Sequence, residues 1–188
     1  MRTPVLAALS SAAIVSLLAA GTAAAQPLPA NQQELNFTVV ANENGGLSVN
    51  TGGPVSTLGL AADGGTASGT LTTFSITDSR GTTAGWNASL SLTDFVLVGN
   101  PSATIPATKA TYHPPASANG LVLGGTAERT AAAIPLKNTD TLFMTRTARS
   151  TPASLELATI PNVNAMTVDL SEGVALGQYK ATLTLSAL

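Results

Sequence analysis

From Trp86 to Leu92 apolar and polar residues alternate without a break. Trp86, Ala88, Leu90 and Leu92 share one face, and Asn87, Ser89 and Ser91 share the other. A period of two marks a strand with one buried face. Downstream of residue 25, no stretch of about twelve residues keeps a helical period free of Gly or Pro. Alternation recurs at Leu35, Phe37 and Val39, at Leu47 and Val49, and at Phe74 and Ile76. Between these runs stand turn-forming clusters: Asn44-Gly45-Gly46, Gly52-Gly53-Pro54, Asp63-Gly64-Gly65 and Asp78-Ser79-Arg80-Gly81. Further strands are expected over residues 55–60, 69–77, 141–145, 154–160, 166–170 and 179–185. Shorter ones are expected near 109–112 and 121–123, and one or two helical turns fit 127–135. Short strands at such spacing predict an all-β fold, a single antiparallel β-sandwich with Greek-key-like connections. Its core is expected to hold Trp86, Leu90, Leu92, Leu183 and Leu185.

The amino terminus follows a different logic. Arg2 precedes an apolar run from Val5 to Ala20 broken only by serines, and Ala23-Ala24-Ala25 offers small residues before Gln26. This is the pattern of a secretory signal peptide cleaved after Ala25. The run falls short of the roughly 20 residues a membrane span needs. Residues 1–25 thus read as a signal peptide, 26–33 as a flexible leader and 34–188 as one domain. The protein is expected to be secreted and extracellular, with no membrane attachment after cleavage.

Composition then excludes whole classes of function. Only 10% of residues are charged, against about 25% in ordinary domains. Eight basic residues against ten acidic ones make no basic patch, so no nucleic-acid partner is expected. Zero cysteine removes thiol catalysis, zinc ribbons and iron–sulfur clusters, and a single histidine, His113, removes multi-histidine metal sites. No cofactor is expected. His113 sits in Thr111-Tyr112-His113-Pro114-Pro115, and no G-x-S-x-G elbow accompanies it. Asp78 and Asp94, which bracket the Trp86 strand, are the one carboxylate pair worth weighing for glycoside hydrolysis. Asp78 more simply accepts turn amides, and Asp94 a loop amide or an arginine. The chain therefore reads as non-enzymatic. Trp86, the only tryptophan, has core packing as its ordinary role and ligand stacking as the alternative.

Two segments echo each other: Trp86-Asn87-Ala88-Ser89-Leu90-Ser91-Leu92 and Tyr179-Lys180-Ala181-Thr182-Leu183-Thr184-Leu185. Shared strand composition explains this, or else two equivalent core strands, on facing sheets.

The run from Phe74 through Asp78-Ser79-Arg80-Gly81 and Gly85-Trp86 to Asp94-Phe95 resembles the WxL domain family of exported Gram-positive surface proteins. The tail Gly177-Gln178-Tyr179-Lys180-Ala181-Thr182-Leu183-Thr184-Leu185 is similar to that family's closing strand. Thr104-Ile105-Pro106-Ala107 is similar to the middle of its high-GC (actinobacterial) members. The resemblance implies a β-rich domain bound non-covalently to the cell wall through peptidoglycan, or to other surface proteins. Carried over by position, the binding residues are Trp86, Asp78, Arg80, Asp94 and Tyr179. The sequence departs from the family at two places: Ala88 stands where Leu is expected, and Leu185 where the second Trp is expected. The alternative is a secreted structural or adhesion module that assembles with itself or with partners through edge strands.

Overall fold

The computed structural model describes residues 32–42, 46–53, 55–59, 61–62, 64–121, 125–170 and 174–188. The expected signal peptide and most of the leader lie outside them. In chain order the first strands are β1 (Gln32–Asn42), β2 (Leu47–Asn50), β3 (Val55–Thr57), β4 (Ala61–Ala62), β5 (Thr66–Gly69) and β6 (Phe74–Asp78). Then come β7 (Trp86–Leu92), β8 (Phe95–Leu97), β9 (Asn100–Ile105), β10 (Ala110–Tyr112), β11 (Asn119–Leu121) and β12 (Ala127–Arg129). The last are β13 (Ile134–Pro135), β14 (Thr141–Arg146), β15 (Glu156–Ile160), β16 (Met166–Asp169) and β17 (Gly177–Ala187). Among the described residues the helical structure is one 3-10 turn, Ala107–Lys109.

The fold is all-β, as the alternation predicts. A large sheet has the order β12-β14-β7-β17-β1-β3, with β4, β8 and β9 attached at its margins. Two four-stranded sheets, β13-β10-β16-β5 and β11-β15-β6-β2, accompany it. The central strands turn apolar positions inward: Trp86, Ala88, Leu90 and Leu92 from β7; Tyr179, Ala181, Leu183 and Leu185 from β17; Phe74 and Ile76 from β6; Met166 and Val168 from β16. Every large apolar side chain so buried contributes about 1.5–3 kcal/mol. The five core residues expected from the sequence are all buried.

Aromatic side chains tie the three sheets together. The Tyr112 ring, from the β10 sheet, stands edge-on to Phe143 of the large sheet at 5.3 Å and tilted to Phe74 of the third sheet at 6.3 Å. Its hydroxyl donates to Asn162 Oδ1 at 2.6 Å, and Asn162 Nδ2 donates to the Thr72 carbonyl at 2.7 Å. Phe143 reaches this position through a β-bulge. The register of β14 on β7 shifts between Leu142 and Met144, so Phe143 and Met144 both turn inward.

Four local expectations need adjustment. β1 pairs with β17 in parallel, from Gln33↔Gly177 to Asn42↔Ser186, within an otherwise antiparallel arrangement. That strand begins at Gln32, two residues inside the expected leader. Residues 127–135 form no helical turn. Ala127 and Arg129 pair with Arg146 and Met144, and Ile134 with Tyr112, so ladder partners override the local helix preference of the alanines. Finally, the echoing strands β7 and β17 are equivalent core strands but do not face each other. They are antiparallel neighbours in one sheet, with Leu90 opposite Leu185 and Leu92 opposite Leu183.

Candidate functional site

Three of the motif residues, Asp78, Arg80 and Trp86, converge at one end of the sandwich. β6 ends at Asp78, whose Oδ1 accepts the Arg80 backbone N–H at 3.0 Å, an Asx turn. Gly81 follows with φ +66, a conformation that suits glycine. The turn folds Arg80 back on Asp78, with Nε donating to Oδ1 and Nη2 to Oδ2, both at 2.9 Å. Arg80 Nη2 also donates to the Gly85 carbonyl at 2.9 Å, holding the entrance to the Trp86 strand. Gly85 has its own constraint: a Cβ there would collide with the Arg146 carbonyl oxygen.

Behind this turn lies a buried ionic cluster. Glu156, wholly buried, accepts Arg146 Nε at 2.9 Å and Nη2 at 2.8 Å, Arg149 Nη1 at 3.3 Å and the Trp86 indole N–H at 3.3 Å. Arg149 Nη2 donates to Asp78 Oδ2 at 3.1 Å and to the Thr82 carbonyl at 2.8 Å. Arg146 Nη1 donates to the Thr147 carbonyl. Of the eight basic and ten acidic residues in the chain, three and two meet here. The cluster bridges layers, since Trp86 and Arg146 belong to the large sheet while Asp78 and Glu156 lie opposite one another on β6 and β15. Buried charges persist only when paired and hydrogen-bonded, and these are. One donor, Arg149 Nε, has no acceptor among the described residues.

Of the sequence-derived candidates, Asp78, Arg80 and Trp86 are brought together here. Trp86 is 2% exposed, so its ring packs the core and its N–H anchors Glu156. Asp94 and Tyr179 lie elsewhere. Asp94 follows the far end of β7, of order 20 Å from Trp86 at ~3.3 Å per strand residue. That is well beyond the carboxylate spacing of a glycosidase, at most about 9.5 Å. Asp94 Oδ1 accepts the Ala107 N–H at 2.8 Å, a loop amide, as the sequence suggested. Tyr179 is buried and its hydroxyl donates to the Ala175 carbonyl at 2.8 Å. His113 Nε2 lies 3.2 Å from Thr167 Oγ1. Among the described residues no group of three or more His, Asp or Glu side chains is placed to hold a metal ion. Nor is any helix among them long and apolar enough to cross a membrane.

Sequence reasoning missed Arg146, Arg149 and Glu156. A signal existed for two of them. Glu156 shares strand parity with the buried Ala158 and Ile160, and Arg146 with Met144, so each is a charge on an apolar face.

The Arg80 guanidinium, foremost, holds the Asp78 carboxyl below its ordinary value of 3.8, against burial, which acts the other way. In acid the unfolded chain therefore binds the extra proton first. This stabilisation is complete above the ordinary value and is lost as pH falls through the lowered one. The urea midpoint is expected to hold steady above about pH 5 and to drop below about pH 4, less steeply in Asp78→Asn. Identical acid profiles for the two proteins would refute the assignment.

The fold and this end of it define a class: an all-β sandwich whose layers are joined by an interior Arg–carboxylate–Trp cluster. Comparison of the chain with protein-family models and with curated proteins returns no match.

Proposed function

We propose that the chain is a non-enzymatic, exported surface module of WxL type that associates non-covalently with the cell wall, peptidoglycan being its partner. The observation that carries this reading is that the residues of the resembling motif act on one another in space. Arg80 joins Asp78 to Gly85, and Trp86 reaches Asp78 through Glu156 and Arg149. A D-x-R-G turn locked to a G-W strand is thus a structural unit, which supports the family resemblance over shared composition. The same geometry favours a non-catalytic role. Asp78 is committed to two arginines, and Asp94 is at the other end of β7. The outer face of the large sheet offers Ser89, Ser91, Thr182 and Thr184, neutral hydroxyls suited to a polymer of sugars and amides.

Incubation of the protein, freed of residues 1–25, with purified peptidoglycan sacculi tests the reading. Co-sedimentation at physiological salt is expected. Protein remaining wholly in the supernatant would overturn wall association.

A further inference from the structure

β7 and β8 run along the same neighbour, β17, but not in one register. Leu92 lies opposite Leu183, and Val96 opposite Lys180. Four steps on one side therefore match three on the other, a β-bulge at Thr93-Asp94-Phe95. Bulges re-aim side chains and are common beside binding sites. Here the ladder is completed by a side chain: Thr93 N–H donates to the Thr182 carbonyl at 3.0 Å, while Thr93 Oγ1 accepts the Thr182 N–H at 2.9 Å. A groove of about 400 Å³ opens at this point, lined by Thr93, Asp94, Val96, Lys180, Ala181 and Thr182. Its size lies within the range of small-ligand sites.

The two charges in the groove form no ion pair with each other. Asp94 spends Oδ1 on the Ala107 amide, which fixes the carboxylate, and Oδ2 takes no hydrogen bond among the described residues. Lys180 is exposed and makes no ion pair among them. The Thr93 hydroxyl, its oxygen already accepting, keeps its proton to donate. Val96 supplies an apolar wall. A fixed carboxylate, an unpaired ammonium and a hydroxyl donor along one groove complement a ligand that carries one ammonium and one carboxylate.

We infer that this groove binds a short peptide that carries a free amine and a free carboxylate, the ammonium at Asp94 and the carboxylate at Lys180 and Thr93. Peptidoglycan stems carry both groups. The inference rests on the proposed wall association only for that source; a free peptide has the same chemistry.

Titration with L-lysyl-D-alanyl-D-alanine, followed by amide NMR, tests it. Saturable binding with Kd of about 1 mM is expected, with shifts centred on Thr93, Asp94, Val96 and Thr182. Acetylating the amines and amidating the carboxylate should each weaken binding about tenfold, as should Lys180→Gln and Asp94→Asn. Both residues are exposed, and Asn retains the acceptor for Ala107, so the melting temperature should not move. No saturable binding, shifts centred elsewhere, or equal binding of the doubly capped peptide would overturn the assignment. Sacculi that pellet the double variant as well as the parent would overturn peptidoglycan as the source of the groove's ligand and leave wall association standing. Tripeptide binding at the groove without sacculus binding sustains the groove and removes the wall as its source.

Discussion

Replacing Glu156 by Gln is expected to lower folding stability by about 3–5 kcal/mol, the usual cost of breaking a buried ion pair from one side. Glu156 is the acceptor for two guanidinium groups and one indole N–H. The amide has one acceptor oxygen instead of two and presents an NH2 to groups that only donate. Arg149 is then left with Asp78 as its carboxylate partner, which Arg80 already engages. Urea denaturation monitored by the fluorescence of Trp86, the sole tryptophan, reads stability and the lost indole contact together. A loss under about 1 kcal/mol would mean that the cluster behaves like a surface salt bridge. A cycle with Arg146→Met separates pair energy from the cost of a stranded charge, because removing both partners of a buried pair is often nearly neutral.

The second large effect is expected at Tyr112. Tyr112→Ala removes a fully buried ring that touches Phe74 and Phe143 and so deprives all three sheets of their common contact. Truncating a buried aromatic costs about 3–5 kcal/mol. Tyr112→Phe keeps the ring and removes only the donor to Asn162 Oδ1. That change should cost about 1–3 kcal/mol, the penalty for a buried acceptor left unpaired. At ~2–4 °C per kcal/mol for a chain of this size, the Ala variant should melt about 10 °C lower. Equal losses for Ala and Phe would show that the hydroxyl, and not the ring, holds the junction.

The alternation along β7, β6 and β17 was readable because each strand buries one face, and burial enforces a period of two. The Asx turn at Asp78 was readable for the same local reason: its chemistry lies within four residues. Pairing was not. Nothing in Leu35 or Tyr179 announces that β1 lies parallel to β17, since that choice is made by contacts across most of the chain. The bulges at Phe143 and at Thr93-Asp94-Phe95 were equally invisible, because one extra residue alters neither composition nor alternation enough to register. This is why Asp94 could be named from its motif while the groove beside Lys180 could not. The ionic cluster fell between these cases. In a chain so poor in charge, Arg146 and Glu156 read as solvated until their parity with apolar neighbours is noticed.

The parallel β1–β17 pair has a mechanical consequence. Tension entering the chain ahead of Gln32 and leaving beyond Ala187 pulls these neighbouring strands in opposite directions along their own axes. All ten register pairs are then loaded together, in shear. Had the same strands been antiparallel, the load would fall on one end and peel the pairs apart in sequence. Under such a load β1 and β17 thus form a clamp across the line of force.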